Sequence, residues 1–150
     1  MVLLALCKLI ANLIDNFAPA WPPRMKLRSS VTAGLLAITA YDAWHIAVNG
    51  RSLKKSFLLT PHRLIEGWPP DSFDSLAESD LRAVADLNCP IVLLGTGLRQ
   101  HFPVPGLLRS LTDRRFGVEV MDTHAACRTY NILMAEGRDV AAALIIECAA

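Results

Sequence analysis

The chain has 150 residues, 53% apolar and 19% charged, with a formal net charge of +1. That balance excludes a disordered polyelectrolyte, and it argues against a nucleic-acid binder, which would carry a basic stripe. The length suits one domain with a sizeable core.

Residues 1–24 open with MVLLALCKLIANLIDNFAPA, in which Ala18-Pro19-Ala20 imitates a secretory cleavage site. Lys8, Asn12 and Asp15 interrupt the apolar run and no basic stretch precedes it, so no stable membrane insertion is expected. Leu3, Leu6, Ile10, Leu13, Ile14 and Phe17 fall at helical spacing, which allows an amphipathic helix. The preferred reading is that 1–24 is a disordered arm or lies upstream of the true start at Met25, leaving 25–150 as one α/β domain.

Trp21-Pro22-Pro23 breaks any helix. Residues 35–48 hold two short strand candidates around Tyr41-Asp42, and Asn49-Gly50 supplies type I′ turn chemistry. Residues 51–60 are the returning strand of that hairpin, and Pro61 to Pro70 reads as a loop in which Trp68 packs over a core edge. Ser79-Asp80 caps a helix through Leu87, with Leu81, Val84, Ala85 and Leu87 inward. Ile91 to Leu94 is a buried strand, Pro105 begins a helix to about Arg114, and Val118 to Met121 is the next strand. A helix from about His124 to Ala135 stops at Gly137, and Val140 to Ile146 closes the chain as a strand.

Strand, helix, strand, helix, strand from residue 90 onward implies a mostly parallel sheet flanked by helices. Right-handed crossovers then bring Gly95-Thr96-Gly97 and Asp122-Thr123 to one crevice at the carboxyl edge, where open α/β sheets place ligands.

The residues converging there admit two kinds of role. Gly95, Thr96 and Gly97 suit either a tight strand exit or an anion held on backbone amides, although neither GxGxxG nor a GK[ST] loop is present. Asp122 and Thr123 suit a helix cap. Cys127 beside Arg128, with His124 one turn before, has influences that favour a thiolate, yet cysteine is also a common core residue. Arg99 and Arg128 can clamp a carboxylate or phosphate, or Arg128 can pair with Asp122 or Glu119. Thr129 and Asn131 complete the polar set in the first turns of the helix.

No catalytic residue is assigned. Four histidines without HxH or HxxxH spacing, and cysteines without CxxC, predict no metal, and no cofactor is expected. Cys7, Cys89, Cys127 and Cys148 read as reduced thiols of a cytoplasmic protein.

LLGTGLRQHFPVP (93–105) and GVEVMDTHAACRTYNILMAEGRDVAAAL (117–144) resemble a small single-domain family long catalogued as of unknown function. Its members include bacterial and archaeal proteins and the mitochondrial respiratory complex I (NADH dehydrogenase) assembly factor three. The Asn49-Gly50 hairpin and the Trp68-Pro69 loop fit as well, so the resemblance covers about residues 30 to 146. It implies a three-layer α/β fold, with a central mixed, mostly parallel sheet flanked by helices and an additional β-hairpin layer. It also implies a protein without established enzymatic activity that engages a protein partner during assembly. A small-molecule anion-binding protein or enzyme using residues 95–99 and 122–131 is the alternative. An exposed hairpin or edge strand is compatible with a homodimer.

Overall fold

The structure is a computed structural model and describes residues 33–147. The expectations for the amino-terminal arm, for Cys7 and for Cys148 lie outside the described residues.

Strands β1 (Ile38–Tyr41), β2 (Ile46–Val48) and β3 (Arg51–Leu53) form a three-stranded antiparallel sheet. Asn49 and Gly50 join β2 to β3 with φ of 48° and 84°, the left-handed pair that a type I′ turn requires. The Asn49 side chain accepts the Ala37 N–H at 2.9 Å and donates to the Leu35 carbonyl at 3.1 Å, which staples the turn to the segment before β1.

The segment 51–60 is not one strand. After β3 the chain leaves the small sheet, and β4 (Phe57–Leu59) enters a second one. The switch occurs at buried Ser56, whose Oγ accepts the Ile146 N–H at 2.9 Å. The expected loop from Pro61 to Pro70 contains a further strand, β5 (Leu64–Glu66), paired antiparallel with β4. Three residues between proline and glycine punctuation are too few to display a period of two. Trp68 is buried as expected, and its indole N–H donates to the Asp80 carbonyl at 3.2 Å.

Helix α1 (Glu78–Ala85) precedes β6 (Ile91–Gly95), and Asp80 accepts the Ala77 N–H at 2.8 Å. The helix expected from Pro105 shrinks to α2 (Arg109–Thr112), preceded by turns, because Gly106 weakens its first turn. β7 (Gly117–Met121), α3 (Thr123–Ala135) and β8 (Val140–Leu144) follow, with Gly137 at φ 77° closing α3.

The larger sheet has the order β5-β4-β8-β6-β7, in which β6, β7 and β8 run parallel and β4 runs antiparallel to β8 and β5. Alternation along its strands separates two cores. Leu58, Val92, Leu94, Ala141 and Ala143 pack with Leu81, Val84, Ala85 of α1 and Leu111 of α2. Phe57, Leu59, Leu93, Ala142 and Leu144 pack with Ala126, Cys127, Tyr130 and Met134 of α3 and with Ile38, Ile46, Val48 and Leu53 of the small sheet. The alanines of β8 let helices approach the sheet closely on either face, and each large aliphatic side chain buried beside them contributes roughly 1.5–3 kcal/mol. The arrangement is the three-layer α/β fold, and its additional layer is a three-stranded sheet rather than a bare hairpin.

Candidate functional site

Because β6, β7 and β8 are parallel and in register, with Gly95 opposite both Met121 and Leu144, their carboxyl ends share one edge. Gly95-Thr96-Gly97 and Asp122-Thr123 meet there. The Gly97 N–H donates to Thr123 Oγ1 at 2.9 Å, and the Thr123 N–H donates to the Gly97 carbonyl at 2.8 Å. The Thr123 hydroxyl in turn donates to the Ile145 carbonyl at 2.8 Å. Thr96 is equally occupied: its N–H donates to the Met121 carbonyl, and its hydroxyl donates to the Arg99 carbonyl and accepts the His101 N–H.

The glycines permit a close approach of the chain to itself. A Cβ on Gly95 would stand 3.0 Å from both Cα and Oγ1 of Thr123. One on Gly97, where φ is +104°, would stand 2.6 Å from Glu147 Oε1. The hollow lined by Gly97, Leu98, Thr123 and His124 encloses only about 10 Å³, room for one water at most. The Gly97 amide that an anion would need is already given to Thr123.

The polar residues of α3 face the protein as well. Asp122 caps the helix, its Oδ1 accepting the Ala125 N–H at 2.9 Å. Thr129 donates to the Ala125 carbonyl at 2.9 Å. Asn131 accepts the Ile38 N–H at 2.9 Å and donates to the Ile38 carbonyl at 2.7 Å, clamping β1 to the helix. Tyr130 donates its hydroxyl to the Leu36 carbonyl at 2.7 Å.

The reactive-thiol reading of Cys127 does not survive. The residue is fully buried, and burial pushes the thiol up to about 12, with the Arg128 charge offsetting only part of that rise. His124, the imagined base, has Nε2 3.0 Å from the Asp42 carbonyl and lies against the Tyr41 ring at 4.9 Å. The clamp and the pairing of Arg128 with Asp122 or Glu119 are likewise replaced: Arg128 donates to the Tyr41 hydroxyl at 3.2 Å, while Arg99 is exposed in the loop after β6. Among the described residues, no group of three or more His, Cys, Asp or Glu side chains is placed to hold a metal ion.

What the sequence reading missed is apolar. Leu98, Phe102 and Val104 are 45%, 79% and 68% exposed on the loop that leaves this edge, and Trp44 is 53% exposed beside Ala43, which lines the same small hollow as Leu98. The loop is nonetheless staked down. Gln100 donates to the Val120 carbonyl at 3.2 Å, and the His101 ring stacks on Phe73 at 4.8 Å. The only sequence signal was the apolar run HFPVP, which has no periodicity to show which side chains face out.

Comparison with known proteins places this geometry among relatives. The profile of a family described as "Protein of unknown function (DUF498/DUF598)" matches residues 38–145. NADH dehydrogenase (ubiquinone) 1 alpha subcomplex assembly factor 3 of Bos taurus is 34% identical over 110 residues, an alignment covering 72% of this chain and 59% of that protein. The chain therefore spans less than two thirds of that relative's length. A solved structure from Bordetella parapertussis superposes with a TM-score of 0.72 at 40% identity, covering 76% of this chain and 98% of that one. One from Xanthomonas campestris gives 0.67 at 44% identity, covering 74% and 84%.

Proposed function

The chain belongs to the family of proteins of unknown function DUF498/DUF598, and from that premise we propose that it is a non-enzymatic protein-binding factor of the assembly type. One observation supports this reading above the others. At the carboxyl edge of the sheet the polar groups are spent on the protein's own backbone, while Leu98, Phe102, Val104 and Trp44 stand exposed around them. Large apolar side chains on an ordered loop are the usual anchors of a protein partner. A filled polar crevice, by contrast, offers a small anion few donors and little space. The name of the bovine relative, an assembly factor, agrees in kind.

In this reading Gly95, Thr96, Gly97, Asp122 and Thr123 set the shape of the edge, Asn131 and Cys127 hold α3 to the rest of the fold, Thr129 bonds back within the helix, and Arg99 and Arg128 form the charged rim of the partner surface. The protein works in the cytoplasm, as the free, buried thiols of Cys89 and Cys127 suggest. Among the described residues no helix is long and apolar enough to cross a membrane.

The test is a quantitative affinity capture from source cells, comparing the native chain with Phe102→Ser, together with native electrophoresis of the respiratory NADH dehydrogenase in a deletion strain. The native chain should retain a partner that the variant loses, and partly built subcomplexes should accumulate without the protein. Normal assembly in the deletion strain, with no partner distinguishing the two baits, would overturn the proposal.

A further inference from the structure

The open space at this edge lies on the other side of Ile146, away from the filled crevice. There the β3–β4 connection and the Trp68-Pro69-Pro70 segment border a hollow of about 340 Å³, within the range of small-molecule sites. Its apolar wall is Trp68, Pro70 and Ile146, all buried, and the hydrogen bond from the indole to Asp80 fixes the ring.

Two donors meet that wall. Ser56 is 2% exposed; its Oγ accepts the Ile146 N–H, but among the described residues nothing accepts its own proton. A buried hydroxyl proton without an acceptor is costly, which favours an acceptor arriving from outside. Lys55, the next residue back, also lines the hollow and forms no ion pair among the described residues. The neighbouring carboxylates have partners: Glu66 holds Arg51 at 2.7 Å, and Asp71 accepts the Ser75 hydroxyl at 3.0 Å. One ammonium and one hydroxyl match the two oxygens of a carboxylate. A phosphate dianion would ask for more donors and would face Asp71.

We propose that this hollow binds a small organic acid, its carboxylate held between the Lys55 ammonium and the Ser56 hydroxyl and its flat apolar body laid against Trp68, Pro70 and Ile146. The site goes beyond the assembly role and does not depend on it, because it shares no residue with the Leu98–Val104 loop.

The experiment is a titration of the 15N-labelled chain with phenylacetate, followed in proton–nitrogen NMR spectra. Phenylacetamide and inorganic phosphate serve as comparators, and Lys55→Met as the variant. Lys55 is exposed, so the variant keeps the fold. Phenylacetate should give saturable shifts centred on the Ser56 and Ile146 amides and the Trp68 indole. Loss of the cation or of the ligand charge should weaken binding by on the order of tenfold, as for one charge-assisted hydrogen bond. The absence of saturable shifts, equal binding to Lys55→Met, or phosphate matching phenylacetate would each overturn the proposal.

Discussion

Gly97 and Thr123 exchange two hydrogen bonds across the carboxyl edge of the sheet, each residue's N–H donating to the other, at 2.9 and 2.8 Å. The Thr123 hydroxyl carries the connection on to the Ile145 carbonyl, so one side chain ties together the ends of β6, β7 and β8. Thr123→Val should therefore leave the buried Gly97 N–H and Ile145 C=O unpaired and cost about 3 kcal/mol. Thr123→Ser keeps the hydroxyl and should cost less. Urea denaturation measures both, and an unchanged midpoint for the valine variant would show that the junction is not a lock.

Gly97→Ala combines a left-handed backbone at φ +104° with a Cβ 2.6 Å from Glu147 Oε1. The expected loss is about 1–3 kcal/mol. Because the Glu147 side chain can swing aside, adding Glu147→Ala should recover the steric part and leave the backbone part. Full recovery in the double variant would assign the whole effect to the clash.

Asn131 is the clamp between α3 and β1. Asn131→Leu keeps the shape but strands both backbone groups of Ile38, an expected cost of about 1–3 kcal/mol. Hydrogen exchange at the Ile38 amide should accelerate more than exchange in β6. Uniform acceleration across both sheets would mean that the clamp has no local role.

Cys127 should make the fold sensitive to alkali. Burial pushes its thiol up from an ordinary value of 9.0 to about 12, and also raises the Tyr130 hydroxyl. Between those two values the unfolded chain has released the Cys127 proton and the folded one retains it. Stability from this group is thus complete below about pH 9 and is lost as pH rises toward about 12. Denaturation midpoints followed from neutral to alkaline pH should fall in that window, and less steeply for Cys127→Ala. Iodoacetamide should leave Cys127 unmodified in the native protein, whereas Cys89, at 8% exposure, should react sooner.

Phe102→Ser alters a side chain that is 79% exposed, so stability should stay within about 0.5 kcal/mol of the native chain while partner capture is lost. Thermal melts run beside the capture assay separate those outcomes. A variant that melts early would relocate Phe102 from a partner surface to the fold.

The parallel half of the fold and its carboxyl edge were legible from residue order, because strand-forming segments at 91–94, 118–121 and 140–146 alternate with helical segments and right-handed crossovers leave little topological freedom. The caps and stops at Asp122, Asn49-Gly50 and Gly137 were legible too, since they rest on interactions within a few residues. The split of 51–60 between two sheets and the strand at 64–66 were not. The split depends on Ser56 and Phe57 finding partners at Ile146 and Leu144, about ninety positions away, and β5 forms only by pairing with the β4 that the split creates. The site divides along the same line. The sequence predicted that Gly95–Gly97 would meet Asp122-Thr123, but a polar residue reads the same whether it faces a ligand or its own backbone. Only the packed tertiary structure spends those donors internally, buries Cys127 and leaves Leu98, Phe102 and Val104 outside, because it alone decides which groups lose their water.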